Sequence, residues 1–123
     1  MAKMIYVVDD SKTMLMSVRS TLEMSGYKVE TSDNPLNAVQ HLNANKVDLI
    51  ITDVNMPGMT GLELIAKVRS SSANRFTPIL TLTTESQAQK RDEAKRLGAT
   101  GWLVKPVSAQ DLTRVLRQIL PGA

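Results

Sequence analysis

The stretch IYVVDDSK, Ile5 to Lys12, sets four apolar or aromatic residues directly before two adjacent carboxylates, Asp9 and Asp10. Such a run reads as a strand buried on both faces, the pattern of a parallel sheet rather than of an alternating, half-solvated one. The strand surfaces on acids. Two unit charges about 4 Å apart repel by roughly 4 kcal/mol at an effective dielectric of about 20, so its end calls for a cation.

Further β-rich runs lie at Val47 to Ile51 and Pro78 to Leu82, with weaker ones at Tyr27 to Thr31 and Trp102 to Val104. Between and after them come residues at helical spacing: Leu15, Val18 and Leu22; Leu36, Val39 and Leu42; Ile65 and Val68; Leu112, Val115, Leu116 and Ile119. Start signals agree. Ser86 to Gln89 and Thr60 to Glu63 read as capping boxes, Ser108 with Asp111 is a close variant, and Pro35 suits a first helical position after Asn34. Gly26 and Gly98 stand where helices should stop. The segment QAQKRDEAKRL, Gln87 to Leu97, offers little beyond Ala88, Ala94 and Leu97 to a core, so this helix should be weakly anchored.

Strands alternating with helices imply an α/β fold, a (βα)5 arrangement with a five-stranded parallel sheet doubly wound by helices on both faces. At 123 residues the chain reads as one domain, 1–123, with a single core, and the serine-rich RSSSANRFTP as a surface loop within it. No Cys is present, which excludes disulfides, thiolate zinc sites and cysteine nucleophiles. The net charge of +3 is spread along the chain, which favours solvated charge over nucleic acid binding. No signal-peptide stretch or membrane-spanning run stands out, and the expected location is cytoplasmic, away from the membrane. His41 reads as an exposed residue of the second helix, and the seven Met mostly as core filler.

The polar residues gather at one place on this scaffold. Asp9 and Asp10 end the first strand, Asp53 the third, Thr83 the fourth and Lys105 the fifth, all at the carboxyl edge where open α/β sheets bind ligands. Each alone could be a cap or turn residue. Together they describe a pocket for a hard cation: magnesium takes oxygen ligands and is held by one or two carboxylates plus phosphate oxygens. Asp10 and Asp53 could ligate directly, Asp9 through water, with a carbonyl from the Asn55 turn. Three carboxylates, a divalent ion and Lys105 balance; a dianionic phosphoryl group on Asp53 then leaves one excess negative charge, so phosphate is acceptable only with the metal.

These residues resemble response-regulator receiver domains, closest to the stand-alone chemotaxis (CheY-like) type, over essentially the whole chain. The strand order 2-1-3-4-5, known for flavodoxin and CheY, comes with the resemblance and not from the residues. The resemblance implies that Asp53 accepts a phosphoryl group from a sensor histidine kinase, a chemotaxis kinase in the CheY-like case. It also implies that Asp9, Asp10, Asp53 and the Asn55 carbonyl hold Mg²⁺, that Lys105 pairs with phosphoryl oxygens, and that Thr83 moves to hydrogen-bond them. Asn55 and Glu85 would tune hydrolysis, with a phosphatase as a further partner, and Lys105-Pro106 would be cis. Trp102 departs from the Tyr or Phe usual three residues before the lysine. The implied output face is the fourth helix, fifth strand and fifth helix, carrying Lys90, Arg91, Lys95, Arg96, Trp102, Arg114 and Arg117. It suits an acidic partner such as a flagellar motor switch component, bound by a monomeric signalling switch that is no enzyme in its own right. A receiver cut from a longer regulator, or a phosphate sink or relay outside chemotaxis, stays open. A flavin-binding flavodoxin-like carrier would need a Ser/Thr-rich loop where this chain has acids; a haloacid-dehalogenase-type phosphatase would need Asp-x-Asp, which DDSKT lacks; and a metal-free pseudo-receiver would have lost an acid.

Overall fold

The computed structural model describes residues 3–56, 58–84 and 88–120. Among the described residues strands and helices alternate: β1 (Met4–Val8), α1 (Lys12–Met24), β2 (Lys28–Ser32), α2 (Pro35–Ala44), β3 (Leu49–Asp53), α3 (Gly61–Ser70), β4 (Ile79–Thr83), α4 (Ala88–Leu97), β5 (Gly101–Val104) and α5 (Ala109–Ile119). All strand pairs are parallel, in the order β2-β1-β3-β4-β5. β3 and β4 run past the apolar stretches to take in Asp53 and Thr83, because ladder hydrogen bonds use the backbone whatever the side chain.

The expected single core is two apolar layers divided by the sheet. In β1, Ile5 and Val7 face the layer closed by α1 and α5, while Tyr6 and Val8 face the layer of α2, α3 and α4. Period-two alternation of a strand buried on both sides produces this division.

Caps fix the helix starts. Asn34 Oδ1 accepts from the backbone N–H groups of Leu36 and Asn37, Thr60 Oγ1 from Glu63 at 3.2 Å, and Ser108 Oγ from Asp111 at 3.1 Å. The box read at Ser86 lies outside the described residues. In α2 the stripe turned to the sheet is Pro35, Ala38 and Leu42, so Leu36 is exposed, contrary to its spacing. Met16 and Met24 are exposed too; Met56 and Met59 are the buried methionines among the described residues. His41 is half-buried rather than exposed: its ring stacks on Tyr6 with centroids 4.8 Å apart, and Nε2 lies 3.2 Å from Glu30. Weak anchoring of α4 holds, since Ala94 is its buried side chain among those described and Leu97 is exposed.

The serine-rich loop is more than a surface connection. Asn74, buried, donates to the carbonyls of Leu42 and Asn45 and accepts from the Val47 N–H, tying the loop beneath β3. Arg69 donates to the carbonyls of Gly98, Thr77 and Arg75, which joins the end of α3 to the approaches of β4 and β5.

Candidate functional site

Register brings the acids together. β1 pairs with β3 so that Val8 stands beside Thr52, which leaves Asp9 and Asp53 as neighbours at the edge where strand order reverses. Carboxylate oxygens of Asp9, Asp10 and Asp53 all lie within 4.8 Å of one another, with Asp9 and Asp53 buried and Asp10 exposed. The β4–β5 ladder runs to Thr83 and Val104, and the Lys105 N–H donates to the Thr83 carbonyl at 2.7 Å, so Lys105 leaves the sheet next to the acids. Lys105-Pro106 is cis.

Lys105 Nζ stands 3.1 Å from Asp9 Oδ2 and 3.1 Å from Asp53 Oδ2. Its contact with Asp9 is an ion pair off hydrogen-bonding alignment, which leaves Asp9 Oδ2 buried with no hydrogen bond, while Oδ1 accepts from the Ser11 N–H at 2.9 Å. Burial pushes the Asp9 carboxyl above its ordinary value and the Asp53 charge adds to that, with the Ser11 N–H and Lys105 opposing. Burial by itself would lower the Lys105 pKa; the hydrogen bond and charge of Asp53, then Asp9, outweigh it and hold the ammonium charged. Thr83 Oγ1 is likewise buried without a hydrogen-bond partner. An unmet buried hydroxyl costs on the order of 1–3 kcal/mol. These features fit a divalent oxygen-seeking cation beside a phosphoryl group: converging carboxylates, an oxygen lacking a donor, and a hydroxyl able to donate.

Asn55 is exposed, and its N–H donates to Asp53 Oδ1 at 3.3 Å. Lys90, read from the sequence as part of the output face, lies on α4 and donates from Nζ to Asn55 Oδ1. Trp102 is 48% exposed, with the Arg91 guanidinium 5.0 Å from its ring centroid. Lys95, Arg114 and Arg117 are exposed on α4 and α5. Glu85 lies outside the described residues.

Gly61 was legible only as part of a capping box, yet it shapes the site. A Cβ there would stand 2.2 Å from the Asp53 carbonyl oxygen and 2.8 Å from Val54 Cα, so the start of α3 rests directly on the backbone of Asp53. The Gly61 N–H also donates to the Val54 carbonyl at 2.9 Å.

Comparison with known proteins agrees with this geometry. Residues 5–117 match the family model described as "Response regulator receiver domain". Chemotaxis protein CheY1 of Helicobacter pylori is 39% identical over 116 residues, 93% of this chain and 94% of that protein. The structure of CheY4 of Vibrio cholerae superposes with a TM-score of 0.92 at 43% identity, covering 98% of this chain and all of that one. The receiver domain of a sensor histidine kinase from Pseudomonas aeruginosa, with magnesium coordinated in its active-site cleft, shares the fold at a TM-score of 0.88 and 24% identity, covering 97% of this chain and 98% of that one. The chain is a member of the response regulator receiver domain family.

Proposed function

We propose that Asp53 accepts a phosphoryl group and that the resulting acyl phosphate switches the affinity of the α4, β5 and α5 face for an acidic protein partner. The observation that carries this reading is the meeting of Asp53 Oδ2 with Lys105 Nζ at 3.1 Å, beside a buried, unpartnered Thr83 hydroxyl. A carboxylate oxygen of Asp53 attacks phosphorus of a phosphohistidine; the N–P bond breaks, and the imidazole nitrogen keeps the electron pair. Lys105 meets the oxygens of the arriving group, and Thr83 Oγ1 gains an acceptor it lacks at rest. Asp9, Asp10, Asp53 and the Asn55 carbonyl would hold Mg²⁺, which when bound offsets the carboxylate and phosphoryl charge as the two are brought together.

The relatives are named as chemotaxis proteins, which favours a chemotaxis kinase as donor, and the resemblance to the chemotaxis type suggests a flagellar motor component as target. A cleft of about 200 Å³ beside Trp102, lined by Val104, Val107, Asp111 and Arg114, provides a seat on the output face. Among the described residues no helix is long and apolar enough to cross a membrane. The test is incubation with acetyl phosphate and Mg²⁺. Intact mass should rise by one phosphoryl group, and both EDTA and Asp53→Asn should abolish the gain. An adduct that survives both controls sinks the assignment.

A further inference from the structure

The carboxyl edge carries a second ammonium besides Lys105. Lys90, near the start of α4, donates to Asn55 Oδ1, and Asn55 gives its own N–H to Asp53 Oδ1 at 3.3 Å. The contact joins residues 35 apart in sequence and bridges α4 to the turn after β3, on the exposed lip of the site. Ordering a lysine side chain costs rotamer freedom, and this helix has little other anchorage. Among the described residues no carboxylate makes an ion pair with Lys90, so its partner there is a neutral amide. An ammonium bonds an anionic oxygen more strongly than a neutral one. Meanwhile Lys105 is already shared between Asp9 and Asp53. With a dianionic phosphoryl group on Asp53, that group together with Asp9 and Asp10 carries one negative charge more than Lys105 and a divalent ion offset.

We propose that Lys90 is a second cationic clamp of the phosphoryl site: on modification of Asp53 its ammonium leaves the Asn55 amide for a phosphoryl oxygen and lengthens the life of the acyl phosphate. This rests on Asp53 being the phosphoacceptor. In the decay step the oxygen of water bonds to phosphorus, and the bond from phosphorus to the Asp53 oxygen breaks. The electron pair stays with the carboxylate, and inorganic phosphate leaves with one proton released to solvent. In a loose transition state negative charge drains from the phosphoryl oxygens toward the leaving carboxylate, so a cation held on those oxygens favours the state before reaction.

The experiment phosphorylates the full chain with acetyl phosphate and Mg²⁺, removes the donor, and follows loss of the phosphoryl mass. Lys90→Met should decay about three to ten times faster than the parent, the range for a partly exposed charged hydrogen bond, whereas Lys90→Arg should stay within about twofold. Beryllofluoride, titrated against the Mg²⁺-loaded protein, should bind the methionine variant more weakly by a similar factor and with a shallower salt dependence. Decay unchanged in Lys90→Met overturns the clamp alone. Equal acceleration in the methionine and arginine variants also overturns it, since the side chain would then act only by packing α4. A parent chain that takes up no phosphoryl group at all defeats the phosphoacceptor reading and the clamp with it.

Discussion

Asp9 shows what a buried charge does to a resting site. Its carboxyl is held above the ordinary value of 3.8, chiefly by burial, so the native chain binds this proton more tightly than the unfolded chain does. Stability from that proton is complete below the unfolded value and is lost as pH rises through the folded one. Asp9→Asn keeps an oxygen for the Ser11 N–H and removes the charge. Metal-free, this variant should be more stable at neutral pH by about 1 kcal/mol and melt higher, and the gain should shrink as pH approaches 3.8. Added Mg²⁺ should raise the melting temperature of the parent more than that of the variant, which keeps Asp10 and Asp53 but loses one carboxylate; thermal scans at several pH values check both. The acids were legible because, although each alone could be a cap or turn residue, they fall with Thr83 and Lys105 at one edge of the sheet on four different strands. Gly61 was not, because its importance lies in what its missing Cβ would strike, a carbonyl eight residues back that no local pattern names.

At the level of elements, α4 differs from its neighbours. Helices held by packing protect their amides, and one whose described buried side chain is a lone alanine should not. Hydrogen exchange should therefore show α4 opening well before α1 and α3, with slower exchange once Mg²⁺ and beryllofluoride are present. Exchange as slow as in α1 would contradict weak anchoring. Lys90 and Arg91 are adjacent, yet one reaches Asn55 and the other lies over Trp102. The composition of this helix told of its loose attachment. The destination of each long side chain was hidden, since sequence spacing specifies a face of the helix and not the groups across a gap. Leu36 illustrates the same limit: α2 has two apolar stripes in sequence, and only the sheet selects the one to bury.

Across the whole molecule the two edges of the sheet have opposite characters. At the carboxyl edge like charges converge and a hydroxyl lacks a partner; at the amino edge Arg69 and Asn74 saturate the carbonyls of several segments. Arg69→Met should cost about 2–4 kcal/mol by leaving those carbonyls short of donors, while Mg²⁺ affinity stays the same. Denaturant unfolding alongside metal titration separates the two effects. The alternation of strands and helices was readable from apolar period and caps, but this tying was not, because RSSSANRFTP has a linker's composition and its bonds run to residues about thirty positions away. The contact of Gly61 with the Asp53 carbonyl gives the site a mechanical polarity. One wall, α3 against β3, has no slack to yield, whereas the neighbouring wall, α4, is loosely held. If Asp53 is the phosphoacceptor proposed above, a push generated there would be met firmly at α3 and taken up toward β4, β5 and Trp102, much as a spring set against masonry extends in one direction.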